Sequence, residues 1–141
     1  MTAEKGSQWT RLRVKGTPGH GSMPYKSDNA LVKASLLITR IAKYKAPLHL
    51  RGLWKQFIDA IDLPAIQRVA LTTPATFDAA LDRMPEGTDR MMYAATRTTL
   101  SPNIAHSGVK VNVIPDSAEV DIDIRTLAGD AEVFVPGAPT T

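Results

Sequence analysis

With 141 residues the chain is long enough to bury a core of its own, and its 43% hydrophobic and 22% charged content is that of an ordinary globular protein, not a disordered or fibrous one. The lack of cysteine excludes disulfides, thiolate metal sites and a cysteine nucleophile; no apolar run reaches the roughly 18 residues of a membrane helix, and no secretory core opens the chain, so the expected location is cytoplasmic. The net charge of +3 hides an asymmetry, with 12 basic and 4 acidic residues in 1–70 against 5 and 10 in 71–141.

Residues 10–15 place Leu12 and Val14 on one face and Arg11, Arg13 and Lys15 on the other, the period-2 pattern of a half-buried strand. Three glycines and two prolines in Gly16–Pro24 then require an irregular loop. Asp28 or Asn29 is a candidate cap for a helix whose apolar residues Leu31, Ala34, Ile38, Ile41 and Ala42 recur at helical spacing, with Pro47 as its stop. From Arg51 to Met92 the pattern is helical but broken. Trp54, Phe57, Ile58 and Ile61 share a stripe, Pro64 restarts the chain, and Pro74 begins a third short helix through Leu81. Threonine-rich Tyr93 to Leu100 suits a strand, followed by a turn at Ser101-Pro-Asn103 and another at Ser107-Gly108. Ala118, Val120, Ile122 and Ile124 alternate with Glu119, Asp121, Asp123 and Arg125, the clearest strand in the chain. After Leu127 the pattern fades.

These elements predict an α+β fold, a two-layer sandwich in which helices cover a mainly antiparallel sheet. The expected organisation is a leader over 1–8, a domain over 9–127 with a helical insertion at 46–92, and a tail over 128–141. A complete layer calls for one more helix and strand, so a truncated C-terminal end is expected.

None of His20, His49 and His106 stands at metal-ligand spacing from another ligand, so no metal site is expected within the chain. No nucleophile elbow or phosphate-cradling loop is present either. His20 is the sharpest candidate because Gly19 and Gly21 let a ligand approach closely, although its context alone favours a surface histidine bonded to its own loop. His49 and His106 read as structural or solvent-exposed. Asn112 lies in a short apolar run where the chain must turn. Arg125 carries a fork suited to a carboxylate, and its context alone favours a pair with Asp121 or Asp123.

Gly16-Thr-Pro-Gly-His-Gly-Ser-Met-Pro24 followed by Asn29-Ala30, and Asn112-Val-Ile-Pro-Asp116 with Asp123-Ile-Arg125, together resemble the lid, or dimerisation, domain of the acetylornithine deacetylase, succinyl-diaminopimelate desuccinylase, aminoacylase and carboxypeptidase-G superfamily of two-zinc hydrolases. The resemblance implies a ferredoxin-like sheet, a homodimer, and a separate catalytic domain that holds two zinc ions and the glutamate base; the chain contains none of those segments. It implies that His20 is a catalytic donor to the carbonyl oxygen in the partner subunit's active site, that Asn112 positions the substrate, and that Arg125 holds its free carboxylate. The implied substrates are small N-acyl amino acids or peptides, and the chain alone is expected to be inert. The alternative is a self-sufficient α+β interaction module that binds a protein partner or nucleic acid through its basic N-terminal half. Basic residues that alternate with apolar ones along an element describe a solvated face instead.

Overall fold

The computed structural model describes residues 5–50 and 52–127, so the expected tail over 128–141, and the question of a missing helix after Leu127, lie outside the described residues. In chain order the elements are β1 (Gly6–Lys15), β2 (Gly19–His20), α1 (Ala30–Lys43), α2 (Leu53–Ala60), α3 (Ala65–Thr72), α4 (Pro74–Leu81), α5 (Thr88–Thr96), β3 (Thr99–Ser107), β4 (Val113–Ile114) and β5 (Ser117–Thr126). They divide into two compact units, one built on Ser7–Lys45 with Leu100–Arg125, the other on Ala46–Thr99 with short pieces from either end.

The first unit is an α+β sandwich. Its sheet has the order β1-β5-β3, so β5 is central and the two others are edges. Arg11 meets Asp121 and Arg13 meets Glu119, so partner numbers run in opposite directions and β1 lies antiparallel to β5. The alternation of β5 is exact in outcome: Ala118, Val120, Ile122 and Ile124 are buried while the intervening residues are half-exposed. Helix α1 covers that apolar face with Ala30, Ala34 and Ile41, and Leu12, Val14, Leu37, Ile38 and Leu100 complete the core. Small alanines at 30 and 34 let the helix axis approach the sheet. Asn29 caps it by accepting from the backbone N–H groups of Leu31 and Val32, and Arg40 and Lys43 sit in the last turn, where the helix dipole favours cations. Two residues expected on the buried stripe, Leu31 and Ala42, are exposed, because the buried face centres on Ala34 and Ile41.

In the second unit α2 to α5 pack around Trp54, Ile58, Leu71, Phe77, Leu81 and Met92. The Trp54 indole N–H donates to the Leu71 carbonyl at 2.9 Å, and its ring meets Phe77 edge-on. Pro74 opens α4 at its first position, where a missing N–H costs nothing. Buried Arg97 reaches the Asp78 carboxylate at 2.6 Å and lies over the rings of Tyr93 and Phe77.

Of the strand expected from Tyr93 to Leu100, residues 93–96 are instead the end of helix α5, and the strand, β3, begins only at Thr99. Threonine was a poor guide there: Thr96 is buried in α5, and its hydroxyl donates back to the Met92 and Tyr93 carbonyls, a bond that helical threonine makes as readily as strand threonine packs. The turn expected at Ser101-Pro-Asn103 lies within β3. Proline is tolerated because β3 is an edge strand and needs no ladder N–H on its outer side.

Candidate functional site

The chain leaves β1 at Gly16, whose N–H donates to the Asp116 carbonyl at 2.6 Å. Thr17 N–H donates to Asp28 O at 2.8 Å, and Ala30 N–H to Pro115 O at 3.2 Å. The end of β1, the start of α1 and the approach to β5 are thus stitched together by main chain, with Lys33 Nζ donating to the Lys15 carbonyl and the Thr17 hydroxyl to Asp28 as side-chain additions. A Cβ on Gly16 would lie 2.7 Å from Ala30 N and closer still to Asp28 O, so only glycine allows this junction.

Beyond it, β2 and β4 form a two-stranded antiparallel ribbon in which Gly19 pairs with Ile114 and His20 with Val113. Gly21 N–H continues the ladder to the Asn112 carbonyl at 2.8 Å, and a Cβ on Gly21 would press on Asn112 backbone atoms at 3.1–3.2 Å. The segment read as an irregular loop therefore contains one strand of an ordered pair, and the turn expected at Asn112 is closed by Val113 N–H donating to Lys110 O. Two consecutive turns follow His20, closed by Met23 N–H to His20 O and Ser27 N–H to Pro24 O. Lys26, at the third position of the second turn, has φ 54°, a conformation that favours glycine or asparagine.

His20 is exposed and hydrogen-bonded to its own loop: the Ser22 backbone N–H donates to Nδ1 at 3.2 Å, and the Ser22 hydroxyl oxygen lies 2.7 Å from the same atom. A backbone N–H can only donate. Nδ1 is therefore an acceptor, the ring proton resides on Nε2, and Nε2–H points away from the bonds that fix the ring. Ser22 was missed by sequence reasoning, although a hydroxyl residue two positions after a histidine in a glycine loop is a usable signal for tautomer control.

Arg125 is elsewhere. It lies near the far end of β5, roughly 26 Å along the strand from Ser117, and its Nε lies 2.9 and 3.1 Å from the two carboxylate oxygens of Asp123. The structure thus brings His20 and the Asn112 backbone together and leaves Arg125 apart. His49 and His106 are both exposed.

The charge asymmetry resolves across β1 and β5. Arg11 makes a two-pronged contact with Asp121 at 2.6 and 2.8 Å, and Arg13 contacts Glu119 at 2.6 and 3.0 Å. The hydrogen bonds from Arg11 and Arg13 hold the Asp121 and Glu119 carboxyls, respectively, below the usual carboxylate range. Basic residues of the first half thus meet acidic residues of the second. On this strand pair the charges are therefore matched and offer no unbalanced cationic face.

Comparison with known families matches residues 2–135 to the M20 peptidase dimerisation domain, which is nearly the whole chain. The chain belongs to this family. Similar curated proteins include the human N-fatty-acyl-amino acid synthase/hydrolase, 28% identical over 132 residues covering 90% of this chain and 26% of the relative, and a Danio rerio counterpart, 30% identical over 126 residues covering 87% and 24%. The chain therefore spans about a quarter of the length of these relatives. Among solved structures, the M20 metallo-carboxypeptidase from Sulfolobus solfataricus matches at TM-score 0.52 and 15% identity, covering 91% of this chain and 36% of that one. Human carnosine dipeptidase 1 matches at TM-score 0.51 and 15% identity, covering 91% and 30%. Both similarities concern the fold.

The M20 family is one of metallopeptidases. Among the described residues of this dimerisation domain, no group of three or more histidine, cysteine, aspartate or glutamate side chains is placed to hold a metal ion. The described residues do not fit a zinc site. No described helix is long and apolar enough to cross a membrane.

Proposed function

We propose that this chain is the lid and dimerisation module of a zinc-dependent amidohydrolase acting on N-acyl amino acids, inert alone and paired in a homodimer so that His20 enters the partner subunit's active site. The single observation that carries this reading is an exposed histidine on the β2–β4 ribbon whose Nδ1 accepts from the Ser22 backbone N–H, which leaves Nε2 as the donor. Such a donor stabilises a carbonyl oxygen as negative charge develops on it, an effect worth about 2.7–4 kcal/mol in the transition state. It costs no reorganisation, because Ser22 already holds the ring. Asn112 lies beside it through the Gly21 bond and orients the substrate, while Arg125 grips the free carboxylate once Asp123 gives way. In this reading 9–127 is the lid, 46–92 its helical insertion, and the two zinc ions belong to a catalytic domain joined to it. The substrate class follows the names of the human and Danio rerio relatives.

The test is His20→Ala in the polypeptide that joins this domain to its zinc domain. Turnover of an N-acyl amino acid is expected to fall roughly 10²–10³-fold with zinc content and folding unchanged. A full-rate variant would return His20 to the role of a surface residue bonded to its own loop.

A further inference from the structure

The sheet face turned away from α1 carries a cleft of about 390 Å³, lined by Trp9 and Arg11 of β1, Asp121 and Asp123 of β5 and Ile104 of β3. It therefore crosses all three strands, and its size is that of a small-molecule site. Its flanks are apolar, since Trp9 is 83% and Ile104 50% exposed. Arg11 meets Asp121 and Arg13 meets Glu119, and two further residues in the same register set Trp9 across from Asp123. The two carboxylates between these flanks differ. Asp121 receives two N–H groups from Arg11, at 2.6 and 2.8 Å. Asp123 is served by the single Nε–H of Arg125, which donates to Oδ2 at 3.1 Å. Oδ1 lies 2.9 Å from the same nitrogen, yet it is shut off from solvent and accepts no hydrogen bond among the described residues. An acceptor in that state calls for a donor.

We propose that Asp123, flanked by Trp9 and Ile104, is the subsite for a basic side chain on the amino-acid half of the substrate, which splits the Asp123–Arg125 pair and supplies a new partner to each. This rests on the reading of Arg125 as the grip on the substrate's free carboxylate. When that carboxylate takes Arg125, Asp123 loses the cation it is paired with, and a ligand that also brings a cation restores the balance. Carboxylate and side chain leave the same α-carbon, while Arg125 and Asp123 are in contact. A ligand held at Arg125 therefore starts its side chain at the end of the cleft that Asp123 lines. The methylene stem of a lysine lies between Trp9 and Ile104, and its ammonium reaches Asp123 beside the indole, whose face favours a cation. An uncharged side chain buries the same stem but leaves Asp123 unpaired, and an acidic one meets two carboxylates.

The experiment compares kcat/KM for Nα-acetyl-lysine and Nα-acetyl-norleucine, which share one carbon stem and differ by the ammonium, in the polypeptide that carries the zinc domain. The lysine substrate should be favoured about tenfold, in KM and not in kcat, because the new pair forms on binding and persists through the reaction. Asp123→Asn should abolish that preference, and Trp9→Ala should raise KM for both substrates. Equal use of the two substrates by the parent, which needs no variant to measure, overturns the proposal and leaves the Arg125 reading intact. A preference that survives Asp123→Asn does the same. An Arg125→Ala enzyme with unchanged KM for Nα-acetyl-norleucine, or a parent that hydrolyses neither substrate, sinks both.

Discussion

Gly16→Ala tests whether the His20 ribbon is anchored by main chain. The new methyl would lie 2.7 Å from Ala30 N, 3.1 Å from Ala30 Cβ and closer still to Asp28 O, and two of these three are backbone atoms at a helix start. Backbone there cannot yield cheaply, because Gly16, Thr17 and Ala30 each make a backbone hydrogen bond within the junction. Overpacking of this kind costs about 1–3 kcal/mol, and one net backbone bond adds about 1. Alanine recovers about 0.4–1 kcal/mol by stiffening the unfolded chain. The expected net loss is about 2 kcal/mol, a drop in the urea midpoint on the order of 1 M at unchanged slope. Hydrogen exchange localises the effect: the amides of Gly21 and Ala30 should lose protection before those of β5. A variant as stable as its parent, with both amides still protected, would refute the close approach.

Acid sensitivity should trace to the β1–β5 ion pairs. Arg11 depresses Asp121 and Arg13 depresses Glu119. Folded values below the unfolded ones mean that the stabilisation is complete above about pH 4.5 and is lost as pH falls through the folded values. Arg11→Gln with Arg13→Gln should flatten the acid limb of a Tm-against-pH curve, and an equally steep limb would count against the assignment. In the helical unit, Asp78→Ala should cost about 2–3 kcal/mol, because Arg97 is buried and its Nε and Nη1 already lack hydrogen-bond partners. Arg97→Met should cost less, since it removes the charge and keeps contact with Phe77 and Tyr93; calorimetry that shows the reverse order overturns that account.

Where one physical signal dominated, the sequence was legible. The alternation in Ala118–Ile124 reads directly because β5 is the central strand and one face is wholly buried. Asn29 as a cap, Pro74 as a helix start and the family resemblance were equally plain. Failures came where two signals compete. Threonines near 96–99 suit either a strand or a helix end, and both occur: the Thr96 hydroxyl closes α5 by donating to the Met92 and Tyr93 carbonyls, while Thr99 opens β3. Pro102 reads as a turn until it is known to lie on an edge. The β2–β4 pair has two residues per strand, too short for any periodicity, and exists because distant glycines at 16 and 21 allow backbones to meet. The charge asymmetry between halves was visible, but its meaning depended on which strands are neighbours.

The separation of His20 from Arg125 bears on how many chains one site needs. Within one chain β2 pairs with β4, which runs directly into the start of β5, while Arg125 lies roughly 26 Å further along β5. A small N-acyl amino acid has its amide carbonyl and its carboxylate only a few bonds apart. Under the proposed function it cannot be held by His20 and Arg125 of the same chain, so each chain must lend His20 to one site and Arg125 to the other. Mixing decides this. In a heterodimer of a His20→Ala chain with an Arg125→Ala chain, one site would then receive both intact residues and the other neither. With random pairing, about a quarter of the wild-type rate should return from two nearly inactive parents. If both residues served the same site from one chain, every site in the mixture would lack one of them, and mixing would recover nothing.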